Sequence, residues 1–192
     1  MNAVILVGGK SSRMGTNKAF LELKGKTFIE LQIELLRKMF DEISISANTP
    51  SEYEYLNLPI FKDIYPGKGP LGGIYTSLIN SSSLHTFMLA CDMPFVGPEL
   101  IKHLKDLTKE YDVVIPKSEN GLEPLHAFYS KNCIEPIKRE LDENNLRIRS
   151  FFPQVNVKIV ELDSLASSDH FKNSIKNLNT MADYEDVTEN NC

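Results

Sequence analysis

Two stretches of this sequence carry residue types at spacings suited to chemistry on phosphate. The first runs from Leu6 to Lys18 (LVGGKSSRMGTNK), where an apolar run gives way to Gly8, Gly9 and Gly15 interleaved with Lys10, Arg13 and Lys18. Glycines let backbone N–H groups approach phosphate oxygens with no Cβ in the way. Arg13 can grip such oxygens through two parallel hydrogen bonds, and Lys18 adds a point charge. The second stretch is Cys91-Asp92-Met93-Pro94. A carboxylate at the tip of an apolar strand suits Mg²⁺, which takes one or two carboxylates together with substrate phosphates and water. The same aspartate beside proline also suits a plain turn cap. Asp63 is a second acid at a predicted strand end.

Two other patterns imitate known phosphate loops. Gly9-Lys10-Ser11 looks like the close of a P-loop, but the glycine that motif needs five residues earlier is Val4, inside the strand. Gly67-Lys68-Gly69-Pro70-Leu71-Gly72 is a literal G-x-G-x-x-G, with Asp92 twenty residues beyond. It supports an alternative, a nicotinamide-dependent oxidoreductase. Against it, Pro70 removes an N–H from the loop, and the pattern follows a complete β–α unit rather than opening the first.

The remaining candidates carry less. His126, in Glu123-Pro124-Leu125-His126-Ala127-Phe128-Tyr129, is either a hydrogen-bonded strand residue or a catalyst, and no acid partner is readable beside it. Arg147 and Arg149 suit either an acceptor phosphate or solvent. Cys91, Cys133 and Cys192 are odd in number and form no C-x-x-C pair, as expected of a reducing, cytoplasmic setting without structural zinc. A formal net charge of −5 argues against broad nucleic-acid binding, and no apolar run approaches a membrane span.

These residues need elements to hold them. Ala3 to Val7 reads as a strand buried on both faces. Phe28, Leu31, Leu35 and Met39 predict an amphipathic helix. Glu42–Ala47 and Thr86–Ala90 read as strands, and a helix is expected over about Gly72–Asn80. Gly97-Pro98-Glu99 is a helix start, followed by a stripe of Leu100, Leu104, Leu107 and Tyr111. Asp112–Ile115, His126–Tyr129 and Val155–Leu162 are strand-like, Ser130–Glu143 helical. Thr180, with Asp183 three residues on, suits the cap of a short C-terminal helix. Alternating strands and helices over 192 residues predict one α/β domain, a mainly parallel sheet covered on both faces, with ligands beyond the carboxyl ends of the strands.

The Leu6–Lys18 loop, Gly69-Pro70-Leu71-Gly72-Gly73, Cys91-Asp92-Met93-Pro94, Glu123–Tyr129 and Asn177-Leu178-Asn179-Thr180 with Asp183 occur in one order across nearly the whole chain. Together they resemble the molybdenum cofactor guanylyltransferases. The resemblance implies a Rossmann-like three-layer sandwich of the nucleotide-diphospho-sugar transferase type. It also implies a reaction in which GTP donates GMP to the terminal phosphate of molybdopterin, with Mg²⁺ as cofactor and pyrophosphate released. Leu6, Val7, Gly8 and Gly9 would then line the nucleotide, with Ser46 and Asp63 near it. Lys18 and Arg13 would neutralise phosphate, and Asp92 would hold the metal. Gly72, Gly73, His126, Asn179 and Thr180 would face the acceptor, and molybdoenzymes or other cofactor-biosynthesis proteins would be partners. The sequence departs from the family pattern at Val7 (usually alanine), Asn17 (commonly an acid), Ser46 (often asparagine) and Met181 (usually proline). Related cytidylyltransferases share the loop and the acid, so guanine over cytosine rests on the resemblance alone. A sugar-phosphate nucleotidyltransferase and a non-catalytic nucleotide-binding carrier stay open as alternatives.

Overall fold

The computed structural model describes residues 1–8, 17–23, 25–165, 171–172, 174–176, 178 and 183–184. Gly9, Arg13, Asn179 and Thr180, with the predicted cap at Thr180, lie outside the described residues.

The chain opens with β1 (Asn2–Val7), whose six side chains are all buried. A small antiparallel pair, β2 (Glu22–Leu23) and β3 (Lys26–Thr27), leads into α1 (Phe28–Leu36). Thr27 opens α1 by a reciprocal cap: its hydroxyl accepts from the Glu30 N–H, and the Glu30 carboxylate accepts from the Thr27 N–H at 2.8 Å. There follow β4 (Glu42–Ala47), β5 (Ile60–Phe61), α2 (Gly69–Asn80), β6 (His85–Ala90) and α3 (Pro98–Leu107). The last part holds β7 (Val113–Ser118), β8 (Gly121–Leu122), β9 (His126–Ser130), α4 (Ile134–Asp142) and β10 (Val157–Glu161).

The main sheet has the order β10-β7-β9-β6-β1-β4-β5, with β8 hydrogen-bonded to β7. The pairs β1–β4, β1–β6, β4–β5 and β7–β10 are parallel. β9 runs antiparallel to both its neighbours, β6 and β7. For β7 and β9 the reason is connection length: a parallel return needs a crossover of a dozen or more residues, and only residues 119–125, β8 among them, separate β7 from β9.

Alternate residues of β1 serve opposite faces. Ala3, Ile5 and Val7 join one core with Ile29, Ile33 and Leu36 of α1 and Leu100, Ile101 and Leu104 of α3. Val4 and Leu6 join the other with Leu71, Ile74 and Leu78 of α2 and Ile137 and Leu141 of α4. A sheet with helices on both faces is the three-layer α/β sandwich expected from the alternation of elements.

Two local expectations need correction. The buried stripe of α1 is Phe28, Ile29, Gln32, Ile33 and Leu36, not Phe28, Leu31, Leu35 and Met39. The helix ends at Leu36, and Leu31 packs instead on a third, smaller cluster of Leu21, Leu23, Phe28 and Leu178. α2 starts at Gly69 rather than near Gly72, with Pro70 in its first turn, where a missing N–H costs no helical bond.

Candidate active site

Lys18 begins a short 3₁₀ turn (Lys18–Phe20). Asn17 caps it, accepting from the Ala19 N–H at 3.2 Å, while its amide donates to Glu52 at 3.0 Å and to the Tyr53 hydroxyl at 2.7 Å. Phe20 stacks on Tyr53 with ring centres 5.3 Å apart. Asn17 therefore anchors the lysine turn to the loop after β4 as a neutral hydrogen-bonding residue, where the family pattern commonly has an acid.

From this turn the Lys18 ammonium lies 3.2 Å from Oδ2 of Asp92, although the two are 74 residues apart in sequence. Both side chains are largely shielded, 14% and 23% exposed. In such partial shelter an ion pair is less screened than on an open surface. Asp92 follows directly on β6. The Cys91 N–H donates to the Leu6 carbonyl at 3.2 Å, carrying the β1–β6 pairing up to the corner. The Leu178 N–H donates to the Asp92 carbonyl at 3.0 Å, so a residue near the chain's end seats on the same corner. Gly8, beside this corner at the end of β1, has φ +130° with open space where a Cβ would stand. Only glycine adopts that backbone readily.

A second group sits one and two strands away. Ser46 at the end of β4 donates to Oδ1 of Asp63 at 3.4 Å, and Asn48 donates to Oδ2 at 2.9 Å. A Cβ on Gly73 would lie 2.7 Å from Cδ2 of Leu6, 3.7 Å from the Ser46 hydroxyl and 3.9 Å from Oδ1 of Asp63. Gly73 thus belongs with the nucleotide candidates rather than apart from them as an acceptor contact. Gly72 packs under the Tyr65 carbonyl and Lys68.

His126 also needs correction. It is fully buried, and neither ring nitrogen has a hydrogen-bond partner among the described residues. Its ring stands edge-on to Phe87 at 5.2 Å, inside the core, where it offers no atom to an acceptor. Burial lowers its pKa from the ordinary 6.5 to about 3. In the unfolded chain it gains a proton below about 6.5, while the folded chain does not until about 3. This contribution to stability is therefore complete at neutral pH and is lost as pH falls through that window. Unfolding free energy measured by denaturant from pH 7 to pH 4 is expected to fall less steeply in His126→Leu. The difference should approach 1.4 kcal/mol per pH unit, about the effect of one proton. Equal slopes would mean that His126 already has a partner or is charged.

Glu123 lies near enough to Asp92 for the two charges to interact. Burial pushes the Glu123 carboxyl up, a hydrogen bond from Ser118 at 3.4 Å opposes this, and the negative charge of Asp92 adds to the rise. The Cys91 thiol is pushed to about 12, first by burial and then by the Asp92 charge, which leaves it protonated and a poor nucleophile.

The register ties the two groups together: Leu6 is level with Ser46 on one side and Ala90 on the other. The carboxyl ends of β4, β1 and β6 thus form one edge, with Asp63 toward one end and Lys18–Asp92 at the other. The family model described as "MobA-like NTP transferase domain" matches residues 3–158, which include every element of this edge. The chain belongs to that family, and it is a nucleotidyltransferase. A Clostridium perfringens protein named "Probable molybdenum cofactor guanylyltransferase" is 40% identical, over 97% of this chain and 95% of its own. The "Molybdenum cofactor guanylyltransferase" of Desulfosudis oleivorans is 33% identical, over 96% and 93%. In structure, the chain is similar to molybdopterin-guanine dinucleotide biosynthesis protein A from Archaeoglobus fulgidus. The TM-score is 0.83 with 27% identity, covering 98% of this chain and 97% of that one. Family membership sets aside the oxidoreductase reading, and the fold gives the reason. Of the apparent fingerprint, Gly69 and Gly72 lie inside α2, which follows β5 rather than β1. No helix among the described residues is long and apolar enough to cross a membrane.

Sequence reasoning missed Gln32, Asn48 and Leu178 as parts of this edge. Gln32 had a signal, being the one polar residue on the buried stripe of α1. Asn48 follows β4 much as Asp92 follows β6. Leu178 stands inside the Asn177-Leu178-Asn179-Thr180 motif, but its seat on the Asp92 corner depends on where the chain returns.

Proposed function

We propose that this chain is a molybdenum cofactor guanylyltransferase, which transfers GMP from GTP to the terminal phosphate of molybdopterin and releases pyrophosphate. The observation that carries this reading is the Lys18–Asp92 pair at 3.2 Å, on the sheet edge beside Gly8. Two strand spacings, roughly 10 Å, separate the β4 end from the β6 end. That span suits a nucleoside with its base at Asp63 and its innermost phosphate beside Lys18.

The acceptor phosphate is anionic at neutral pH and attacks the α-phosphorus without a strong base. The new P–O bond forms as the bond to the β-phosphate oxygen breaks, and pyrophosphate leaves with that electron pair. The barrier lies in bringing two polyanions together, so alignment and countercharge supply the catalysis. The Lys18 ammonium meets phosphate oxygens, and Gly8 lets the chain pass close beneath them. Asp63 and Gly73 hold the base end. Arg13 adds a second cation from the first loop, and Asn179 and Thr180 contact the acceptor.

The carboxylates here fit Mg²⁺. Asp92 and nearby Glu123 offer only oxygen donors. Among the described residues no group of three or more His, Cys, Asp or Glu could hold a metal by itself. Such a sparse set suits an ion that arrives with a triphosphate and keeps water ligands. Asp92 would hold it, and when bound it supplies countercharge to the phosphates.

Incubation with molybdopterin, Mg²⁺ and either GTP or CTP, followed by mass analysis, tests the assignment. Molybdopterin guanine dinucleotide and pyrophosphate should form with GTP. A cytosine dinucleotide alone would overturn the choice of base, and no dinucleotide with either would overturn the function.

A further inference from the structure

Gln32 lies on the buried stripe of α1, between Phe28, Ile29, Ile33 and Leu36, and is 1% exposed. Its side-chain amide has two N–H bonds to give, and both cross to the loop after β6. One goes to the Ala90 carbonyl and the other to the Met93 carbonyl, each at 2.8 Å. Those two carbonyls bracket Cys91 and Asp92. The other polar atom of the side chain, its carbonyl oxygen, is buried without a hydrogen-bond partner among the described residues. An amide in an otherwise apolar stripe is costly to bury, and what it secures is the turn that aims Asp92 at Lys18.

We infer that Gln32 is a positioning residue for Asp92: a two-pronged clamp from α1 that fixes the Ala90–Met93 turn and so the direction of the carboxylate. The inference rests on the reading of Asp92 as the residue that holds the divalent ion. Other contacts to the corner come from the backbone of Leu6, Leu125 and Leu178, and Lys18 reaches the carboxylate. Of the backbone contacts, the long bond from the Met93 N–H to the Ala90 carbonyl, 3.4 Å, spans the turn, and Gln32 braces the same two residues with two bonds of 2.8 Å. The base end, built by Ser46, Asn48, Asp63 and Gly73, hangs on other elements and does not depend on the clamp.

The test compares wild type, Gln32→Met and Gln32→Glu, with Ile33→Val as a control for packing in the same helix. Methionine keeps the length and loses both donors. Glutamate keeps the shape, but its carboxylate cannot donate to two carbonyls, and it serves if the methionine variant folds poorly. Mn²⁺ stands in for Mg²⁺, and its binding to folded protein with GTP present is read by electron paramagnetic resonance, alongside kcat and KM for GTP. Both Gln32 variants should lose about tenfold or more in Mn²⁺ affinity and in kcat, the scale for partners that orient a metal ligand. KM for GTP should change by about twofold at most, because the base end is untouched. Ile33→Val should lower melting temperature and leave Mn²⁺ affinity unchanged. Folded Gln32 variants with wild-type Mn²⁺ affinity and kcat would overturn the inference. Wild type that binds no Mn²⁺ in the presence of GTP would instead overturn the metal role of Asp92, and the inference with it.

Discussion

Lys18→Ala and Asp92→Ala should each slow turnover by about 10²-fold or more, the scale of removing one electrostatic stabiliser from a preorganised site. The two side chains meet at 3.2 Å across 74 residues of sequence, each largely shielded from water. In the proposed mechanism Lys18 would meet the phosphates with positive charge, and Asp92 would hold the accompanying ion. Both act on charge that must be accommodated as the α-phosphorus changes partners, so kcat should fall more than KM for GTP rises. Because they are in contact, their effects should not add: the double variant should be well short of the product of the two singles. Steady-state kinetics on folded variants, with pyrophosphate as the readout, decides the matter. Near-normal turnover in both single variants would remove the basis for the proposed mechanism, and full additivity would mean that the pair works as two separate sites.

Asp63→Asn should lower kcat/KM for GTP by about 10²-fold and cut the preference for GTP over CTP. Guanine presents two adjacent N–H donors on one edge, and a carboxylate accepts both. Hydrogen bonds to a charged group are worth about 1.5–3 kcal/mol each, so losing them carries that factor. Ser46 and Asn48 already donate to Oδ1 and Oδ2 of Asp63, which fixes the direction of the carboxylate before substrate arrives. Asparagine would set an N–H against the donors of the base and leave one of its own protein donors without an acceptor. The loss should fall mainly on KM, because this end lies remote from the reacting phosphorus. The ratio of kcat/KM for GTP and CTP is the measurement. A ratio unchanged by the substitution would mean that Asp63 does not read the base. If Asp63 does read the base, Ser46 would act through it, without direct contact with the nucleotide.

How much of this was legible in sequence differs residue by residue. β4 falls at Glu42–Ala47 as its pattern predicts, because Ile43, Ile45 and Ala47 alternate with polar residues at the period of a strand. Gly97-Pro98-Glu99 opened α3 as expected, since capping chemistry is local. Asp92 at the tip of a strand could be singled out for the same reason. The stripe of α1 was misplaced by about one position. Apolar residues on that helix cover more than one face, and the sheet alone selects which of them it buries. The antiparallel direction of β9 against β7 follows from the short connection between them, which is visible only once β7 is seen to reach Ser118.

By itself, the sequence determined the elements, their alternation, and which residue types stood ready for phosphate, because propensity, capping and apolar period act over a few neighbouring residues. Only the tertiary structure decided which of those residues share a site. It brought Lys18 to Asp92, put Gly73 beside Leu6 and Asp63, sent His126 into the core, and set Gln32 against the turn that carries Asp92. Each of these depends on strand order and register, which are fixed by contacts between residues tens of positions apart. No local rule reads such contacts, since a one-residue change of register turns every side chain of a strand to the opposite face.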